Sequence, residues 1–442
     1  MLRAGTAISD ITPKEPLLLA GYPSPKDRKG NITHDPLYCS AFYLSDNEDI
    51  LLICLDLIYL TKKQTAKIRE GISSATGLKP CNISVSCTHT HSGPITFSSF
   101  SKPFDEDDIM YPEYMSWCIN IIINTGIRAF NESFPAVLGY SSSICGKSEG
   151  IGGNRHHRDG TADEEVYATG IKDSSGRMRG VIASYSLHPT LLHAESFAYS
   201  ADYPGYMREF FSLEYPGCVF GFHLGTSGNQ SSRFFRSGQT FEEAQRFGYT
   251  IGLAAKTALE KAVYRGTTVL GCKSLWIDPV LKDFPSLPES RTCVEKARHD
   301  LEDSRKANDS YSRQRTLECT LIGAERMFDI CTHLAVPGAF DAMMSSYPFE
   351  IQAVRIGELV ILMIAGEVFA EIGLEIKKRS GSKHTYVATT SNGTCLGYIC
   401  TPEAYESFCY EALGTVMKAE MAKELITKSL EVIDFVLDIR EP

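Results

Sequence analysis

One order of elements recurs three times along this chain: two short strands joined as a hairpin, then a helix, then a third strand. The first copy reads Tyr38–Leu44, a turn at Asp46-Asn-Glu-Asp49, Ile50–Asp56, a helix near 61–76 and Asn82–Thr88. The second reads Val166–Lys172, a turn at Asp173-Ser-Ser-Gly176, Gly180–Leu187, a helix from about Pro204 and Cys218–Leu224. The third reads Glu350–Ile356, a turn at Gly357, Leu359–Ala365, a helix near 367–379 and His384–Thr390. Runs such as Ile50-Leu-Leu-Ile-Cys-Leu55 and Leu359-Val-Ile-Leu-Met-Ile364 are apolar without alternation, which predicts central strands covered on both faces. The expected fold class is α/β, with repeated strand-strand-helix-strand units forming mixed β-sheets flanked by helices.

Further helices are expected over about 107–133, 240–263 and 414–437. The stretch 288–335 is rich in Glu, Lys, Arg and Ala and reads as an inserted pair of amphipathic helices. No Pro/Gly/Ser linker separates independent parts, so residues 1–442 are expected to form a single domain with the helix pair inside it and no C-terminal β-domain.

Charge narrows the class of function. The formal net charge is −10, and no basic stripe is present to neutralise phosphates, so no nucleic-acid partner is expected. Lys377-Lys-Arg379 reads as a solvated helix face. No run of eighteen apolar residues exists, so no transmembrane segment is expected. Met1-Leu-Arg-Ala-Gly-Thr-Ala7 lacks the apolar stretch of a signal peptide, and the fourteen cysteines are scattered singly. Both point to a cytoplasmic chain with reduced thiols, or to a secreted one if it was trimmed.

The strongest local signal is Thr88-His89-Thr90-His91-Ser92-Gly93-Pro94, directly after a buried strand. Residues two apart share a strand face, so two imidazoles leaving a strand end can converge on one site. His-x-His alone is a weak signal. The repeat strengthens it: the second unit ends a strand in Leu187-His188-Pro189, and the third ends one in Ala365-Gly366-Glu367. The last strand runs out into Ser391-Asn-Gly-Thr-Cys-Leu-Gly-Tyr398. Open α/β sheets bind ligands outside strand carboxyl ends, so two imidazoles, a carboxylate and a phenol can meet there as a nitrogen/oxygen metal site. The loop Gly225-Thr-Ser-Gly-Asn-Gln-Ser-Ser232 follows a strand in the same way, and its small residues Gly225, Ser227 and Asn229 suit close approach of a substrate. Asp202 reads either as a carboxylate orienting a metal histidine or as a helix N-cap. Gly146-Lys147-Ser148 hints at a phosphate loop, but Ser141 stands where that pattern needs glycine.

Beyond these features, the chain resembles the neutral/alkaline non-lysosomal ceramidases, in particular their shorter bacterial homologues. The segments that carry the likeness come in order over nearly the whole length: Gly5-Thr-Ala-Ile-Ser-Asp-Ile-Thr-Pro13, Gly21-Tyr22, His34-Asp-Pro-Leu-Tyr38, Thr88–Pro94, His188-Pro-Thr190, Ser200-Ala-Asp-Tyr-Pro-Gly205 and Gly397-Tyr-Ile-Cys-Thr-Pro-Glu-Ala-Tyr405. The resemblance implies Zn2+ held by His89, His188, Glu367 and Tyr398, with His91 and the arginine of Asn154-Arg155 acting in catalysis and Tyr398 also stabilising the tetrahedral intermediate. It implies zinc-dependent hydrolysis of an amide C–N bond in an N-acylated amine, either a ceramide-like lipid or an N-acyl amino sugar, by metal-activated water. Two features depart from the family: Ile95-Thr-Phe-Ser-Ser-Phe100 replaces the glycines that usually follow His-Ser-Gly-Pro, and Asn229 stands where an acid is usual. A non-catalytic metal- or ligand-binding protein on the same fold and a hydrolase of another small ester or amide are the alternatives. The sequence leaves the oligomeric state open.

Overall fold

The computed structural model describes residues 1–22, 27–97, 109–394 and 397–439. Residues 98–100 of the Ile95–Phe100 run lie outside these, as do residues 107–108 of the expected helix and Cys395 and Leu396 in the approach to Tyr398.

The hairpin-helix-strand repeat is present three times, inside a larger repeat. In the first unit β1 (Arg3–Asp10), β2 (Tyr38–Ser45) and β3 (Asp49–Leu55) run antiparallel. Helix α1 (Lys62–Thr76) returns β4 (Ile83–Cys87) parallel to β3, and α2 (Pro112–Asn131) packs back over α1 and β1. The second unit repeats this order with β5 (Phe134–Ile144), β6 (Glu165–Asp173), β7 (Met178–Tyr185), α3 (Tyr203–Glu214), β8 (Val219–Leu224) and α4 (Phe241–Lys261). The third begins with β9 (Leu270–Ile277), which is followed by the antiparallel helix pair α5 (Leu287–Lys306) and α6 (Tyr311–Leu334). It then runs through β10 (Phe349–Ile356), β11 (Leu359–Ile364), α7 (Ala370–Arg379), β12 (His384–Ala388) and α8 (Glu420–Leu437).

Each unit therefore gains a leading strand and a closing helix that the sequence pattern did not assign to it. The leading strands lack a long apolar run: β1 is Arg-Ala-Gly-Thr-Ala-Ile-Ser-Asp and is only part-buried. Pairing of β1 with β5, Arg3 opposite Pro135, joins the first two units into one eight-stranded sheet. The third unit forms a four-stranded sheet of its own.

The double-sided apolar strands build two kinds of core. Along β3, Leu51, Ile53 and Leu55 face a core shared with α1 and α2, whereas Ile50, Leu52 and Cys54 face a central one. Along β11, Val360, Leu362 and Ile364 face α7 and α8, whereas Leu359, Ile361 and Met363 face the same central core. Phe42, Leu52, Ile182, Ile361 and Met363 thus bring all three units together away from their helices. Gly221 of β8 permits that approach, since a Cβ there would lie 2.5 Å from the Phe42 ring and 2.9 Å from Cys54 Sγ.

Beyond the strand ends the backbone is stitched across units. Cys87 N–H donates to Thr390 O (3.2 Å), Thr389 N–H to Leu224 O (2.7 Å), and Ser391 N–H to Ile364 O (3.1 Å). The carboxyl ends of β4, β8, β11 and β12 consequently meet at one place. Glu367 differs from expectation: it lies in a two-residue strand, Glu367–Val368, paired in parallel with Tyr398–Ile399, and α7 begins three residues later. Gly366 takes a positive φ of 108°, which turns the chain before a helix can start. No helix of the described residues is long and apolar enough to cross a membrane.

Ile361 is 1 % exposed at the meeting of the three units, so Ile361→Ala is expected to lower stability by about 2–5 kcal/mol. Leu253→Ala, at a side chain 56 % exposed on α4, is expected to stay within about 0.5 kcal/mol. Denaturant midpoints of the two variants check this.

Candidate metal centre

His89 follows β4 with φ 64°, a left-handed conformation that costs a non-glycine residue about 1–3 kcal/mol. Hydrogen bonds from Thr88 N–H to Leu55 O (2.8 Å) and from His89 N–H to Leu57 O (2.9 Å) hold it there. The strain turns the imidazole inward. Its Nδ1 lies 3.1 Å from Ile58 O, and Nδ1 of His188, beyond β7, lies 2.8 Å from Ser227 O. A carbonyl only accepts, so both Nδ1 atoms carry a proton and both Nε2 atoms are left to face the cluster.

Those two Nε2 atoms face Glu367. Oε2 of Glu367 is 3.1 Å from Nε2 of His188 and 3.4 Å from Nε2 of His89, with all three side chains almost fully buried. Apart from these contacts, His188 Nε2 and Glu367 Oε2 have no hydrogen-bond partner among the described residues. His91 joins the group, its Nε2 3.4 Å from that of His89, and the three histidines each bring one nitrogen within 4.8 Å of the others. Burial pushes the imidazoles of His91 and His188 below the ordinary histidine range. Burial would raise the Glu367 carboxyl, but the neighbouring His89 and His188 outweigh it and hold it well below the usual carboxylate range. Two histidines anchored by Nδ1 on carbonyls, with the Glu367 carboxylate beside them, bring nitrogen and oxygen donors to one buried point, a set that fits a divalent cation.

The sequence-derived residues are gathered to different degrees. His89, His91, His188 and Glu367 converge directly. Tyr398 is carried beside Glu367 by the short parallel pairing, and its ring lies 5.3 Å from the Arg155 guanidinium. Arg155 also donates through Nε to Glu411 and through Nη2 to Gly228 O. Burial would raise the Glu411 carboxyl, but Arg155 and His156 outweigh it and hold it at about 2. Glu411 escaped the sequence reading because it lies on a short helix, Tyr410–Gly414, outside every motif.

The loop after β8 is a frame for the centre. Gly225 accepts from the Thr389 hydroxyl (2.7 Å), and Ser227 supplies the carbonyl that orients His188. Gly228 N–H donates to Val368 O (2.9 Å), and a Cβ at Gly228 would lie 2.9 Å from Glu367 O. The Asn229 side chain is buried and committed: Oδ1 accepts from Ala370 N–H at the start of α7 (3.0 Å), and Nδ2 donates to Glu371 (2.7 Å). Ser227 and Asn229 therefore act on protein groups in this structure.

Two supports were visible in sequence only as a Gly-Tyr pair. A Cβ on Gly21 would lie 2.2 Å from the His91 ring, and Tyr22 packs edge-on against that ring with centroids 4.9 Å apart. Arg28 donates to His91 O (2.8 Å). Asp202 caps α3 by accepting from Tyr203 N–H (2.7 Å) and also accepts from Leu192 N–H (2.9 Å). Backbone carbonyls hold the two anchored histidines, so the capping reading of Asp202 is the one the structure follows.

Fold and cluster together define an α/β protein with a buried three-histidine candidate metal centre at the joined carboxyl ends of its strands. No described protein family and no curated protein sequence matches the chain. Solved structures do match it in fold. The neutral ceramidase from Pseudomonas aeruginosa superposes with a TM-score of 0.74 at 18 % identity, over 100 % of this chain and 75 % of that one. A ceramidase complexed with C2 gives 0.73 at 15 % identity, over 98 % and 74 %. The fold is thus shared with neutral ceramidases, as the sequence motifs implied.

Burial pushes the Asp202 carboxyl up to about 7. A carboxyl raised above its unfolded value of about 4 binds more protons folded than unfolded, so stability should fall as pH rises from about 4 to about 7. Asp202→Asn should flatten that part of the profile, read from urea midpoints across the range, even if loss of one acceptor lowers the whole curve.

Proposed function

We propose that this chain is a zinc-dependent hydrolase that cleaves the amide C–N bond of an N-acylated amine. The observation that carries the reading is the convergence of Nε2 of His89, Nε2 of His188 and Oε2 of Glu367 in one buried cluster, with Nδ1 of both histidines held by backbone carbonyls. Two solved structures of like fold are by name ceramidases, which supports an N-acyl substrate of ceramide-like lipid or N-acyl amino sugar type.

His89, His188 and Glu367 would hold the cation, with Tyr398 alongside. A bound Zn2+ supplies Lewis-acid polarisation of a carbonyl and lowers the pKa of water to about 7. His91 is assigned a different part because its Nδ1 has no partner, so no carbonyl fixes its tautomer as in His89 and His188. A ring nitrogen left without a protein partner suits a group that takes a proton at one moment and delivers it to the leaving nitrogen at the next. Arg155, held over Tyr398 by Glu411 and Gly228, presents positive charge where the carbonyl oxygen gains negative charge. Water adds oxygen to the acyl carbon, the C–N bond breaks, and the products are a carboxylic acid and an amine.

His89→Ala and His188→Ala are each expected to lose bound zinc and hydrolysis together, measured by elemental analysis and release of free amine from N-acyl amines of graded chain length. Wild-type zinc content with retained activity in either variant would overturn the site. His91→Ala is expected to keep zinc while turnover falls roughly a hundredfold to ten-thousandfold. Loss of zinc in that variant would instead make His91 a ligand and the centre a three-histidine one.

A further inference from the structure

Around Tyr22, beside the metal cluster, lies a concentration of positive charge unlike the rest of this acidic chain, which carries 54 acidic and 44 basic residues. The half-buried Tyr22 ring packs against both His91 and His193, with ring centroids 4.9 and 4.6 Å from its own. The Arg28 guanidinium lies 5.1 Å from the Tyr22 ring and donates to the carbonyls of Ala20, His91 and Ser196, and among the described residues it forms no ion pair with a carboxylate. Arg315, from α6, reaches Nε2 of His193 at 3.5 Å and shares its charge with Glu318 at 3.0 Å. Arg236 acts electrostatically on Tyr22 and Arg315, and among the described residues its half-buried guanidinium has neither an ion pair nor a side-chain hydrogen bond. The nearby buried Asp202 has its carboxyl pushed up to about 7, so it is not a full countercharge at neutral pH.

A half-buried guanidinium without a carboxylate or carbonyl partner keeps its donors free, and arginine offers several of them in a fixed fork to carboxylate, sulfonate or phosphate oxygens. The inserted helix pair takes part: Arg233, from the loop after β8, donates to Ser312 O and Thr316 on α6, which docks the helix carrying Arg315 onto the frame of the metal centre.

We propose that Arg236, Arg315 and His193 form a subsite for an anionic group on the amine half of the substrate. The substrate class is then an N-acyl amine bearing an acid, such as an N-acyl amino acid or N-acyl aminosulfonate, rather than a neutral sphingoid amide. The amine half is assigned because His91, the proton donor to the leaving nitrogen in the proposed function on which this inference rests, stands against the same Tyr22 ring.

The test compares N-dodecanoylglycine and N-dodecanoyltaurine with N-dodecanoylethanolamine, which has the same acyl chain and no acid. The wild type should favour both acidic amides in kcat/KM by roughly tenfold or more, and Arg236→Gln should bring them down to the level of the neutral one. Equal, measurable rates on all three amides, or a preference that survives in Arg236→Gln, would overturn the subsite. Preference for only one of the two acids would show whether carboxylate or sulfonate is the better fit and still support it. Calorimetric titration of the same amides into His91→Ala reads the subsite without turnover. Tighter binding of the acidic amides that disappears when Arg236→Gln is added supports it even if no amide is cleaved, in which case the hydrolase reading alone fails. Equal binding there would overturn it even if all three are hydrolysed.

Discussion

The hydrogen bonds at Thr389, Thr390 and Ser391 are what the rest of the molecule depends on. Through them the outrun of β12 is tied to Cys87 at the end of β4, to Leu224 at the end of β8 and to Ile364 at the end of β11. Each of those strands is followed by residues of the candidate centre, so joining the strand ends gathers chemistry from four remote parts of the chain. The joint is itself tense. Thr390, Asn392 and Thr394 all adopt positive φ, and buried polar partners hold them there, including Thr390 Oγ1 on Cys87 O. Such a backbone persists only where its surroundings over-determine it, and the central core packed beneath all three units provides that rigidity.

Rigidity has a second consequence in the electrostatics of the cluster. Buried polar atoms in a folded protein are normally paired, and His188 Nε2 and Glu367 Oε2 have only the cluster itself to pair with. Rotation away from one another is blocked because Nδ1 of each anchored histidine is pinned by a backbone carbonyl, and Gly228 packs against the backbone of Glu367. The frame therefore fixes the imidazoles and the carboxylate at one point. This is the arrangement expected of residues shaped around an ion rather than around each other.

Arg155 and Arg236 show how differently two arginines can be held near one site. Arg155 is fully committed to Glu411, Gly228 O and the Tyr398 ring, and so is a fixed charge at a defined place. Among the described residues the Arg236 guanidinium has no such commitment.

Much of this was legible in sequence. Apolar runs, turn residues and helix punctuation are local signals, so the hairpin-helix-strand pattern, the covered central strands and the helix pair could be read residue by residue. His89, His91, His188 and Glu367 were legible as polar residues at strand ends for the same reason. The leading strands β1, β5 and β9 were not, because strands of mixed polarity owe their place to partners far along the chain. Nor could sequence place Glu367 in a strand rather than a helix, since that hinges on pairing with Tyr398. Only the tertiary structure decided that Ile58 and Ser227 orient the histidines, that Asn229 caps α7, and that Glu411 holds Arg155 across 256 positions of the chain. Contacts between backbone carbonyls and remote side chains leave no periodicity and no motif, so they exist for the reader only once the chain has closed on itself.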